Sequence, residues 1–177
     1  ILRNDPKELE RFYYQLSEQI VDKNNLGEVI KEIKNHQNFK DEERFKSEFI
    51  QASPKSSVTK MILDRITRLH SESIDWTNKD THIEHIMPQK PAGEWLELGG
   101  DDIEEYKDYL NRLGNLTVLQ DKKNIRARNK DFHFKKDYYS ESRLKITKTI
   151  TEYSEWNYDQ IISRQEYLYE QGKEIWK

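Results

Sequence analysis

The chain has 177 residues, a formal net charge of −3, no cysteine, and 36% charged against 34% hydrophobic residues. That length supports one well-buried core, or a domain with a helical extension. The missing cysteines exclude disulfides and cysteine-ligated zinc, no apolar run reaches the roughly eighteen residues a membrane span needs, and the acidic balance argues against indiscriminate coating of DNA. Four Trp, ten Tyr and six Phe supply large core side chains beneath a very polar surface. The first residues lack a basic-then-apolar signal pattern, so a cytoplasmic protein is expected. Ile1 in place of Met raises the expectation of a fragment, a processed chain or a sequence lacking its start.

In chain order, Asp5-Pro6 opens a helix as cap and first-turn proline. Leu9, Phe12, Tyr13, Leu16 and Ile20 recur along it at helical spacing. Asn24-Asn25 breaks it, and Leu26, Val29, Ile30 and Ile33 form a second amphipathic stretch. A third helix starts near Asp41 with Phe45, Phe49 and Ile50, and Ser53-Pro54 ends it. A fourth runs from Ser57 through Val58, Met61, Ile62, Ile66 and Leu69. These stripes read as core. We expect residues 1–40 to be a helical extension or linker and residues 41–177 to be the functional domain.

Thr81-His82-Ile83-Glu84-His85-Ile86 alternates as a half-buried strand does and breaks at Pro88. Residues 91–100 read as a loop anchored by Trp95 and Leu98, and a helix from Asp101 carries Ile103, Tyr106, Tyr109, Leu110 and Leu113. Gly114 closes that helix, Asn115 starts a second strand through Leu119, and another helix begins near Asp121. The chain then reads as irregular through Phe134, followed by helices over about 141–152 and 157–175. The fold class is therefore α+β, mostly helical, around one small β element.

Charge is unevenly spread. Residues 91–110 hold seven acids against Lys107 alone, whereas residues 121–150 hold ten Lys or Arg against four acids. A basic run is most often a solvated helix face. Beside a histidine motif it suits a phosphate track. Phosphodiester hydrolysis needs a group that accepts the proton of an attacking water, and a histidine does so near neutral pH. His85 is the candidate. His82 sits three residues earlier, but on a strand such a pair points to opposite faces, so His82 is read as structural. His36, His70 and His133 have no partners in the sequence and receive no role.

Glu84-His85-Ile86-Met87-Pro88-Gln89, then Gly114-Asn115-Leu116-Thr117 and Asn124, resembles the C-terminal domain of GmrSD-type modification-dependent restriction endonucleases. Asn129-Lys130-Asp131-Phe132, Lys135-Lys136, Tyr139-Ser140 and Ile161-Ile162-Ser163-Arg164 fit the same pattern, so the resemblance covers roughly residues 40 to 177. It implies a small ββα-metal (His-Me finger, HNH-like) core surrounded by helices. It also implies a Mg²⁺- or Mn²⁺-dependent endonuclease or nickase acting on phage or modified DNA, with His85 as general base and Glu84 and Asn124 as ion ligands. Hard oxygen donors of this kind suit those ions. Glu84 stands where the wider superfamily often has Asp. Asn115 either ties the loop between the strands together or holds the backbone carbonyl that orients His85.

Lys135 is expected at a phosphate or the transition state, where a fixed cation is worth most, with Asn124 beside it at the catalytic centre. Lys122, Lys123, Arg126, Arg128, Lys130 and Lys136 are expected to track the DNA backbone. The family also implies an upstream nucleotide-hydrolysing sensor domain or subunit. A double-strand cut would call for two active sites, hence a homodimer. Two competing readings remain: a catalytically inactive DNA-binding module on the same finger, and a helical protein-interaction domain in which the histidine is incidental.

Overall fold

The structure is a computed structural model that describes residues 6–20, 27, 31, 42–99, 103–120 and 129–175. The chain divides into two compact units, residues 1–49 and residues 50–176. In the first, Pro6 takes the opening position of α1 (Pro6–Ile20), where its missing N–H costs no hydrogen bond. Glu42 and Glu43 stand in the first turn of α2 (Glu42–Ile50), where acids complement the helix dipole. Phe45 and Phe49 pack ring against ring at 5.9 Å. The expected helices over residues 26–33 and from Asp121 lie outside the described residues, apart from Gly27 and Lys31.

The second unit begins with α3 (Ser56–Arg68), which buries Ile62, Leu63 and Ile66 and carries Arg65 and Arg68 in its last turn. Its centre is a two-stranded antiparallel sheet, β1 (Thr81–His85) with β2 (Leu116–Gln120), in which Glu84 faces Thr117 and His85 faces Leu116. Between the strands run α4 (Glu94–Gly99), α5 (Ile103–Leu110) and a 3₁₀ turn at Leu113–Asn115. After β2 come α6 (Phe132–Ser140), α7 (Lys145–Lys148) with a 3₁₀ continuation at Thr149–Glu152, and α8 (Tyr158–Gly172). The fold is α+β and mostly helical. No helix among the described residues is long and apolar enough to cross a membrane.

Three local expectations change. Trp95 and Leu98 sit on a short helix rather than a loop. Gly114 and Asn115 form a 3₁₀ turn, so β2 starts one residue later than expected. Helix α6 occupies residues expected to be irregular through Phe134, because the Asp131 carboxylate accepts from the Phe134 N–H at 2.7 Å and caps it. Its inward stripe is Phe132, Lys135 and Tyr139, and the lysine in that stripe breaks the apolar pattern by which such a helix is recognised.

A lone two-stranded sheet is marginal in water, so its helices must hold it. Helix α8 does this with polar side chains. The buried Arg164 guanidinium donates from Nη1 to the carbonyls of Gly114 (2.7 Å) and Leu116 (2.8 Å), and from Nη2 to that of Ile146 (3.2 Å). Gln165 accepts from the Gly114 N–H at 2.9 Å and donates to the Ala52 carbonyl at 3.0 Å. On α7, the Thr147 hydroxyl reaches the Val118 carbonyl at 2.8 Å and the Thr117 hydroxyl at 2.9 Å. The apolar core next to these bonds contains Met87, Trp95, Tyr106, Phe132, Trp156 and Ile161.

This clamp needs glycine at position 114, because a Cβ there would run into the Ile161 backbone carbonyl on α8. The obstacle is helix backbone and cannot rotate away. Gly114→Ala is expected to destabilise the domain by about 3 kcal/mol through overpacking, read as a lower urea midpoint at unchanged slope.

Candidate active site

Strand alternation separates the two neighbours Glu84 and His85. Cross-strand partners share a face, so His85 lies with Ile83, Leu116 and Val118, and Glu84 lies with His82, Thr117 and Leu119. His85 is half-buried at the end of β1. Its Nε2 stands 3.2 Å from Asn111 Oδ1. With that oxygen as acceptor, Nε2 carries the proton and Nδ1 is the basic nitrogen. Burial holds the imidazole below its ordinary pKa; the Asn111 contact opposes that shift and the Lys135 charge adds to it. Burial and the lysine charge favour the neutral ring, the form that can accept a proton.

Glu84 faces inward. Its Oε1 accepts from Lys135 Nζ at 2.8 Å and from the Tyr139 hydroxyl at 3.5 Å, and Lys135 Nζ also donates to the His85 carbonyl at 2.8 Å. Lys135 is fully buried and Glu84 is 7% exposed. Desolvation pushes the Glu84 carboxyl up and the Lys135 ammonium down, and the attraction between them opposes both shifts. Burial, with the Glu84 charge beside it, also holds the Tyr139 phenol well above its usual range. Lys135, expected at a phosphate, therefore lies under the strand, bonded to the peptide of His85.

The Asn115 side chain holds the turn that follows. Its Oδ1 accepts from the Met87 N–H (2.7 Å) and Trp156 Nε1 (3.2 Å), and its Nδ2 donates to the carbonyls of Met87 (3.0 Å) and Leu110 (2.9 Å). Every donor and acceptor of the amide is used. Its backbone carbonyl takes the Ile86 N–H at 3.0 Å, and the Tyr106 hydroxyl donates to the Pro88 carbonyl at 2.6 Å. The backbone from His85 to Pro88 is thus fixed peptide by peptide.

The other expected residues are dispersed. His82 is exposed on the face opposite His85, so the two histidines do not converge. Lys136 donates to the Tyr153 carbonyl at 2.7 Å and lies 5.8 Å from the Phe132 ring. Lys130 is exposed. Lys122, Lys123, Asn124, Arg126 and Arg128 lie outside the described residues. Among the described residues no three His, Asp or Glu side chains gather as ion ligands. Glu84 is turned from His85 and held by Lys135, and its expected fellow ligand Asn124 lies outside the described residues. Asn111, Trp156 and Gln165 belong to the site's framework, and nothing in their sequence spacing marks them for it; Tyr139, one helical turn after Lys135, joins them.

Three outcomes are expected. In the metal-free protein, an NMR titration of His85 gives a midpoint below the ordinary 6.5. A folded-state value below the unfolded one means that this residue's contribution to stability is complete above the unfolded value and is lost as pH falls through the folded one. Replacing Asn115 by Ala strands two donors and two acceptors at once and is expected to cost about 3 kcal/mol or more, measured by urea denaturation. Asn111→Ala, at an exposed position, is expected to cost less than about 1 kcal/mol in the same assay.

No curated protein matches this sequence significantly. The model of the GmrSD restriction endonuclease C-terminal domain matches residues 38–171, which include both strands, His85, Asn115, Lys135 and Arg164. With a fixed histidine at the end of β1 and a match over most of its length, the chain belongs to the family of GmrSD restriction endonuclease C-terminal domains.

Proposed function

We propose that this chain is the DNA-cleaving or nicking domain of a phage-defence restriction protein, built on a ββα-metal finger and hydrolysing phosphodiester bonds with His85 as general base. The observation that carries the reading is a half-buried imidazole on an immobilised backbone, with burial lowering its pKa, in a chain of a restriction endonuclease family. In this reading Nδ1 takes a proton from water as its oxygen attacks phosphorus, and the bond to the leaving oxygen breaks. A base of this kind contributes roughly a hundredfold to ten-thousandfold in rate.

Mg²⁺ or Mn²⁺ is part of the proposal; when bound, such an ion would supply Lewis-acid stabilisation of transition-state charge. No step is assigned to it. Asn124 remains its proposed ligand, while Glu84 acts in this structure as the buried counter-charge of Lys135. DNA held along the basic stretch 121–148, an upstream nucleotide-hydrolysing sensor and a homodimer complete the proposed system.

One observation favours a second reading. The carboxylate adjacent to His85 is already neutralised by Lys135, as suits a domain that binds DNA without cutting it. Relaxation of supercoiled plasmid in Mg²⁺ or Mn²⁺, wild type beside His85→Ala, separates the two. The expected result is nicking that EDTA abolishes and that falls about a hundredfold or more in a folded His85→Ala protein. Salt-sensitive DNA binding without strand breaks in either protein would support the second reading instead.

A further inference from the structure

The outward side of α6 carries side chains that the proposed cleavage does not use. Phe134 is 37% exposed. Its ring lies 5.3 Å from that of Tyr138, one helical turn on, tilted at 48°. Lys130 Nζ stands 5.5 Å from the centre of the Phe134 ring. Beyond Tyr138 opens a recess of about 240 Å³ whose lining includes Tyr138, Asn78, Gln120, Glu141 and Arg143. Lys130 and Arg143 are both exposed. A single stripe therefore runs cation, ring, ring, polar recess, cation.

The platform is rigid. Asp131 caps α6, the Lys130 carbonyl accepts from Trp95 Nε1 at 2.9 Å, and the Phe132 N–H is bonded to the Glu94 carboxylate. A pair of aromatic rings on a fixed element, Phe134 exposed and Tyr138 half-buried, flanked by cations, is what unpaired nucleotides bind: bases stack on the rings and phosphates meet the cations. The recess suits one planar ring stacked on Tyr138, with the Gln120 amide and the Asn78 Nδ2 facing its edge (Asn78 Oδ1 already accepts from the Asp80 N–H at 2.9 Å) and Arg143, beside Glu141 in the lining, facing its phosphate.

We propose that the outer face of α6 is a binding platform for single-stranded nucleic acid, with Phe134 and Tyr138 as stacking rings and Lys130 and Arg143 as phosphate contacts. The choice of nucleic acid as partner rests on the endonuclease reading, and the test is made without metal so that the two stand or fall separately. Fluorescence anisotropy of a labelled oligothymidylate of about ten nucleotides, in EDTA and with the full 177-residue chain, reads binding alone.

The wild type is expected to prefer this strand to a duplex of equal length. Phe134→Ala and Tyr138→Ala should each weaken single-strand binding about tenfold, whereas Phe134→Tyr and Tyr138→Phe keep a ring and keep the affinity. Lys130→Gln should lower the slope of log affinity against log salt by about 0.7. Circular dichroism checks the fold, and Leu at either position carries the test if Ala does not fold. Folded ringless variants that bind as the wild type does, or a preference for duplex, would overturn the platform while leaving plasmid cleavage untouched. Ring-dependent binding in a chain that never nicks plasmid would sustain the platform and overturn the endonuclease.

Discussion

One buried amide determines most of the geometry around His85. The Asn115 side chain meets two N–H groups and two carbonyls, and those groups come from the turn after β1, the end of α5 and Trp156. An amide with all its bonds made in a low-dielectric interior is rigid, because any displacement leaves a polar group without a partner. The two strands are far apart in sequence, and their pairing fixes β1 only as far as His85. Beyond that point the ladder ends, and Asn115 takes over its role. Position 115 must therefore be held in turn, which is what Gln165 and Arg164 do at Gly114 and Leu116.

The period-2 geometry of β1 divides two adjacent polar residues between different tasks. His85 reaches the half-buried side and Glu84 the interior, where it meets Lys135 and Tyr139. A buried ion pair of this kind adds little net stability, since each charge has given up its hydration, but removing either partner strands the other. Its value lies in position. Lys135 Nζ bonds the Glu84 carboxylate and the His85 carbonyl together, so the ammonium on α6 fixes the strand backbone beside the imidazole. The same charge helps to keep that imidazole neutral. Lys135 thus acts on His85 through the backbone and through the field, without touching the ring.

Much of the fold was legible in the sequence, and the exceptions share a physical cause. Helices α1, α2, α3 and α8 and strand β1 announce themselves by apolar periodicity, and Pro6 marks the first turn of α1. Helix α6 does not, because one position of its buried stripe is Lys135, whose partner lies on β1, far away in sequence. Periodicity reads the polarity of a side chain and cannot see a distant counter-charge. The same limit applies at the site. Alternation places His82 and His85 on opposite faces and equally separates Glu84 from His85, so only the family resemblance joined Glu84 to His85 at one centre. Asn111, Tyr139 and Trp156 have ordinary reasons to be on a helix or in a core, and only the tertiary fold brings them to the histidine.

These arrangements make α6 a helix with two differently constrained sides. Its inward residues Phe132, Lys135 and Tyr139 are buried and bear on the strand that carries His85. Its outward residues Phe134 and Tyr138 are free of that duty, and an exposed phenylalanine gains nothing for the fold by facing water. Because both sets sit on one capped helix with 1.5 Å of rise per residue, their spacing is set by backbone that does not bend. A strand lying on the outer rings would be placed at a constant offset from the peptide of His85 whatever its base sequence. Positioning of this kind comes from the helix and needs no base-specific contact.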